Sequence, residues 1–214
     1  MGPLNETMRK ERLAQQGDIK YDITWTTLAG YFDFLEKRGL TPNVASFVGA
    51  PTVREYELGL VNRPPSAAEL HRMKRLVQEA MEDGAMGVTT ARIYAPATFA
   101  QTDELIELAK VAAHSGGIYT AHMRSEGDRL LEAIDESIRI AREARIPVEI
   151  YHLKAAGQSN WSKMDLAIAK IDSARAAGVQ LTADMYTYTA GATGFDASMP
   201  PLGPRGWRIG LDNS

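Results

Sequence analysis

Of the four histidines in this 214-residue chain, two stand at matching points of successive apolar, β-branched runs. "GIYTAHMRSEGD" (117–128) carries His122 with Arg124 two residues on, and "EIYHLKAAG" (149–157) carries His152 with Lys154 two residues on. Imidazole nitrogen binds zinc at about 2.0 to 2.1 Å, so two such rings brought together could share one divalent ion. Two ligands are too few to define a site, and a hydrogen-bonded core histidine accounts for the same spacing. His71 lies in a charge-rich helix and His114 in a last helical turn, where a cation suits the helix dipole; both read as structural. The sequence contains no cysteine. That excludes a disulfide frame and a thiolate metal site, leaving His, Asp, Glu or Lys-derived groups to hold any metal.

The elements that must position these residues alternate from about residue 40 onward. Strand-like runs occur at "NVASFVG" (43–49), "MGVTTA" (86–91), "GIYTAHM" (117–123), "VEIYHLK" (148–154) and "LTADMYTY" (181–188). Between them lie helical signals. "PPSAAELHRMKRLVQEAMEDG" offers Ser66 as N-cap, Glu69 to close a capping box and Gly84 as the stop. "TDELIELAKVAAHSGG" starts acidic and ends on paired glycines. Leu131, Ile134, Ile138 and Ala141 share one helical face before Pro147 blocks continuation, and "MDLAIAKIDSARAAG" stops at Gly178. Residues 1–40, with "YDITWTTLAGYFDFLEKRG", read as an excursion and a helix ahead of the first clear strand.

A strand-helix repeat of this kind is α/β, with parallel strands joined by right-handed crossovers in either a barrel or a doubly wound open sheet. Alternation places Ile118, Thr120 and His122 on one face of their strand, and Val148, Ile150 and His152 on one face of the next. Each histidine is then the last residue before a loop, on neighbouring strands about 4.8 Å apart, at the edge where both architectures build their sites.

Composition narrows the partners. The net charge of -3 and scattered Lys and Arg argue against a nucleic-acid surface or an anionic-membrane binder, and point to a small molecule. No apolar run approaches the roughly 18 to 20 residues that span a bilayer, and "MGPLNETMRKER" lacks a signal-peptide apolar region, so the chain reads as cytoplasmic.

Three segments carry a resemblance to a known family: "RIYAPATFAQTDELIELAKVAAHSGGIYTAHMRSEGDRLLEAIDESI", "IPVEIYHLKAAGQSNW" and "LTADMYTYTAGATG". In them the chain resembles the N-acyl-D-amino-acid deacylases (D-aminoacylases) of the amidohydrolase superfamily, over about residues 1–200. The resemblance implies a zinc-bearing (β/α)8 TIM-type barrel, here incomplete with about five strands, and hydrolysis of the amide bond of N-acyl-D-amino acids. It implies that His122 and His152 are metal ligands and that Tyr94, Lys154 and Tyr186 line the substrate site, Lys154 toward the substrate carboxylate and the tyrosines toward the amide. Arg124 is a further candidate for that carboxylate, or a brace for its loop.

The departures are as informative. The family's first-strand His-x-His pair, its early-strand Cys or Glu ligand, and its late general-base aspartate have no counterpart in this sequence, and Ala192 stands where many members have serine. The expectation is a central barrel segment over residues 1–200 that supplies two metal ligands but no catalytic base and is inactive alone. The Gly- and Pro-rich "PPLGPRGWRIGLDNS" (200–214) reads as irregular, and the 201–214 tail need not belong to the fold. The rivals are another amidohydrolase, such as a cyclic amidase, and a non-catalytic α/β protein binding a small anion through Arg124 and Lys154.

Overall fold

The computed structural model describes residues 2–193, so the tail at 201–214 lies outside the described residues. Five short strands form one sheet: β1 (Val48–Gly49), β2 (Gly87–Ala91), β3 (Ile118–His122), β4 (Val148–Ile150) and β5 (Leu181–Ala183). All pairings are parallel and the spatial order is the chain order. That order chooses between the two architectures. A doubly wound sheet reverses direction at a switch point, whereas this one never does, so right-handed crossovers lay the connecting helices on one side. Those helices are α3 (Ala50–Leu58), α4 (Ala67–Glu82), α5 (Thr102–His114), α6 (Leu130–Ala144) and α7 (Met164–Ala176), each packed against the next. The sheet is an arc of the barrel kind, with β1 and β5 each paired on one edge only among the described residues.

Register explains which face is buried. One row across the sheet reads Val48, Val88, Tyr119, Val148, Leu181. All five are buried and join the core with Ile134 and Ile138 of α6 and Ala167 and Ile171 of α7. Removing each such aliphatic side chain from water is worth about 1.5 to 3 kcal/mol. The adjacent row reads Gly49, Thr89, Thr120, Glu149, Thr182 and faces the other side. Glu149, a charge inside an apolar run, is thereby explained: it lies on the side away from the helices, where its carboxylate accepts from the Thr182 hydroxyl.

Local signals set the helix ends. Ser66 and Glu69 close the expected capping box on α4, whose C-cap is Asp83, and Gly84 follows with φ +99°. Gly87 opens β2 with φ +151°, and a Cβ there would stand 1.9 Å from the Ile118 carbonyl oxygen. Only glycine lets β2 and β3 meet at that point. On α3 the buried Arg54 donates to Glu104 of α5 at 2.5 Å and to the Val61 and Arg63 carbonyls at 3.3 and 2.5 Å, bracing the first crossover.

The N-terminal excursion contains two helices, α1 (Glu6–Ala14), capped by Asn5, and α2 (Leu28–Arg38), capped by Thr27. Leu4, Met8, Ile23 and Trp25 form a satellite core there. No helix is long and apolar enough to cross a membrane among the described residues.

The strands are shorter than their apolar runs. The first expected strand reduces to Val48–Gly49 because α3 begins at once, with a proline in its first turn. The fourth ends at Ile150 rather than reaching Lys154, and the fifth ends at Ala183. The early end of β4 decides where its histidine goes.

Candidate metal centre

His122 is the last residue of β3. Register pairs Ala121 with Ile150, so the position level with His122 on the neighbouring strand is Tyr151, not His152. Had β4 stayed extended, His152 would share the buried face of Val148 and Ile150, turned away from His122. The chain instead turns at Tyr151 and His152, and His152 adopts φ +41°. A non-glycine residue in this region is uncommon and costs of order 1–3 kcal/mol, held by its surroundings. Those surroundings are Asp184, just past β5. Its carboxylate accepts the His152 N–H at 2.5 Å and its carbonyl accepts the Leu153 N–H at 2.8 Å, while its own N–H donates to Ile150 at 3.1 Å. The turn brings the two imidazoles edge to face, with centroids 4.5 Å apart.

A third group joins them. Glu126, in the loop after β3, places Oε1 2.8 Å from His152 Nδ1, 2.7 Å from Lys154 Nζ and 3.9 Å from His122 Nε2. Its loop is fixed by Ser125 Oγ, which accepts from the Gly127 and Arg129 amides, and by the Ala156 N–H, which donates to the Glu126 carbonyl at 2.7 Å. Glu126 was not singled out from the sequence. The available signal was a carboxylate four residues after a strand-end histidine, within "HMRSE", in a stretch without periodicity to orient it.

Ligand atoms of His122, Glu126 and His152 all lie within 4.8 Å of one another. Tetrahedral zinc with bonds of 2.0 to 2.1 Å sets its ligand atoms about 3.3 Å apart, so small side-chain movements close the set. His122 Nε2 is buried and has no hydrogen-bond partner. Burial is also the main reason that the His122 imidazole titrates below its ordinary range; His152 and Lys154 push the same way and Glu126 opposes them. The neutral ring favoured there is the form that ligates metal.

The centre opens into a cleft of about 920 Å³ at the C-terminal edge of the sheet, lined by Tyr94, His122, Glu126, His152, Lys154 and Tyr186 among others. Tyr94 sits in the turn after β2, 5.7 Å from His122 between ring centroids, and its hydroxyl bonds Thr193 at 2.5 Å. Lys154 Nζ lies 5.3 Å from the centre of the Tyr186 ring. Arg124 is not among the residues lining this cleft. It donates to the Thr98 and Ala100 carbonyls at 2.9 and 2.8 Å and pairs with Glu136 of α6, which also holds Arg92 and the Thr102 hydroxyl. Arg124 therefore braces the loop that carries Tyr94.

No family model matches the chain. It is 37% identical over 165 residues to a D-aminoacylase of Alcaligenes xylosoxydans xylosoxydans, covering 77% of this chain and 34% of that protein. The chain is a homologue of the D-aminoacylases. It spans about a third of the length of that curated relative. A D-aminoacylase crystal structure described as defining a novel subset of amidohydrolases matches the homologue with a TM-score of 0.75 and 34% identity, over 78% of this chain and 35% of that one. The arc thus corresponds to part of an amidohydrolase TIM barrel. An N-acyl-D-glutamate deacylase from Bordetella bronchiseptica, solved with zinc and a phosphonate mimic of the tetrahedral intermediate, also matches at TM-score 0.75 and 32% identity, over 80% and 36% of the two chains.

Proposed function

We propose that this chain is the metal-binding and carboxylate-binding part of a zinc-dependent hydrolase of N-acyl-D-amino acids, with the metal held by His122, His152 and Glu126. The observation that carries the reading is the buried, unpartnered Nε2 of His122, placed where a second imidazole and a carboxylate converge. A structural histidine so placed would have that nitrogen satisfied. The homology supports the substrate class, since the relatives are named a D-aminoacylase and an N-acyl-D-glutamate deacylase.

Zinc bound there supplies Lewis-acid polarisation of the scissile carbonyl and activation of water. The chain's own residues do the rest of the binding. The Lys154 ammonium takes the substrate carboxylate, while the Tyr94 and Tyr186 hydroxyls orient the amide from either side of the histidines. A cleft of about 920 Å³ suits a small molecule of this kind. Arg124 contributes indirectly, through the loop it braces. Asp184 is committed to the His152 amide, and Glu126 is assigned here to the metal. The reading therefore assigns the general base to a carboxylate outside the described residues.

The test is zinc binding by chelator competition, followed by binding of N-acetyl-D-alanine to the metal-loaded and chelator-treated chain. His122→Ala and His152→Ala are each expected to weaken zinc binding at least tenfold. Binding of the acylated amino acid should be lost with chelator and restored by zinc. Binding indifferent to chelator would make this a small-anion-binding protein instead.

A further inference from the structure

A second cleft lies on the far side of Arg124 from the two histidines. It has a volume of about 360 Å³ and is lined by Arg124, Ser125, Arg129, Glu132, Ala133 and Glu136, from the loop after β3 and the first turns of α6. None of the six lines the histidine cleft. Arg124 and Glu136 are committed to each other and to the loop groups already described. The Arg129 guanidinium and the Glu132 carboxylate, by contrast, have no hydrogen bond or ion pair among the described residues. They stand three residues apart, a spacing at which side chains on a helix are neighbours, about 5–6 Å between Cβ atoms. An arginine and a glutamate so placed ordinarily meet; here both line the cleft without meeting. Helix stability gives no reason for the arginine either. Arg129 is the N-cap of α6, where it offers no side-chain acceptor to the free N–H groups, and a cation at that end opposes the helix dipole. Residues that break a local rule without a compensating contact are characteristic of binding sites.

We infer that this second cleft binds a free amino acid in its zwitterionic form, with the carboxylate on Arg129 and the ammonium on Glu132. An α-amino acid carries both charges on one carbon, so it can bridge an unlike pair that stands side by side. A simple anion would meet Arg129 but also face the Glu132 carboxylate, and a simple cation the reverse, so the pair selects a ligand with both charges. The Ser125 hydroxyl oxygen accepts from the Gly127 and Arg129 amides, which leaves its own proton for the ligand carboxylate. The volume of the cleft suits a small amino acid. The site stands without the zinc reading; that reading adds only that such a zwitterion is what hydrolysis of an N-acyl amino acid releases. The acylated substrate lacks the ammonium that Glu132 recognises, so the two clefts take different members of one reaction.

The experiment titrates D-alanine into the chelator-treated, isotope-labelled 214-residue chain and follows backbone amide shifts by NMR, with N-acetyl-D-alanine and D-alaninamide as probes that carry one charge each. D-Alanine should give saturable shifts centred on residues 124–136. Each single-charge probe should bind there at least tenfold more weakly, the loss expected for one charge-assisted hydrogen bond. Arg129→Gln and Glu132→Gln, both at exposed positions, should each weaken D-alanine binding by as much. No saturable shift in that segment would overturn the site. Equal binding of D-alanine and N-acetyl-D-alanine, or D-alanine binding unchanged in Glu132→Gln, would overturn the zwitterion. His122→Ala should bind D-alanine as wild type does. Loss of binding in that variant, or shifts centred on Lys154 and Tyr186, would place the ligand in the histidine cleft and overturn the second site while leaving the zinc reading intact.

Discussion

Glu136 is one carboxylate on α6 that holds three donors from two loops, and Glu136→Gln isolates the value of its charge. Arg92, just past β2, pairs with it while only 2% exposed. Arg124, two residues past His122, reaches it at 3.4 Å, and the Thr102 hydroxyl at the start of α5 donates to its other oxygen. Glutamine preserves the shape and one acceptor but leaves the Arg92 guanidinium facing a neutral group. Its remaining support is a 3.3 Å bond to the Ala100 carbonyl, and its Nε has no partner. Breaking a buried pair from one side costs about 3–5 kcal/mol. The Glu136 side chain keeps 14% of its exposure, so some water reaches the pair and a loss near the lower end, about 3 kcal/mol, is expected. Urea unfolding with a slope of about 2–3 kcal/mol per molar converts that into a midpoint lower by about 1–1.5 M. The double variant Arg92→Met, Glu136→Leu removes both charges and should recover most of the loss, because the cost lies in the orphaned guanidinium rather than in the missing bond. A midpoint shift in Glu136→Gln under about 0.3 M, or a double variant no better than the single, would refute this reasoning.

Two further outcomes follow from geometry already described. The His122 imidazole is held below its ordinary range by burial, so the unfolded chain takes up that proton first as pH falls. Metal-free stability is then fully present above the unfolded value of about 6.5 and is lost as pH drops through the lowered folded value. With chelator present, the urea midpoint of wild type should fall more between about pH 7.5 and 5.5 than that of His122→Gln; equal falls would remove the argument. Gly87→Ala would drive a methyl to 1.9 Å from the Ile118 carbonyl oxygen and should cost at least about 3 kcal/mol by parting β2 from β3. A variant that melts at the wild-type temperature would show that β2 can shift at no cost.

Much of the arc was legible because periodicity and punctuation agreed. Ser66 with Glu69, the acidic start of α5 and the apolar stripe of α6 each mark an element by short-range chemistry, and short-range chemistry is what a sequence displays. His122 was legible for the same reason, as the last residue of a regular strand. The structure brings His152 beside His122, but by another path than strand alternation suggests. Its strand stops two residues earlier, and a positive φ swings the ring across to His122. Nothing local announces that turn, since the groups that hold it belong to Asp184, on the segment after the next strand. Glu126 escaped notice because its meaning is entirely tertiary: an acid in an aperiodic loop becomes informative only when His152 and Lys154 arrive from another strand. Arg124 shows the converse. Its sequence position matched that of Lys154, yet the carbonyls of a neighbouring loop claim its guanidinium.

The chain-order sheet has a kinetic consequence. Every contributor to the centre, from Tyr94 to Tyr186, comes from consecutive strand-helix repeats. Each joins a neighbour only about thirty residues away, so no step of assembly must close a long loop before its contacts begin to compensate the lost entropy. The histidines, the carboxylate and the lysine can therefore be brought together by successive additions to one growing edge. Synthesis past β5 and the turn-locking Asp184 is the earliest moment at which His152 can be held in its final conformation. Until then the second imidazole has no fixed direction, and the two rings come edge to face only near the end of that growth.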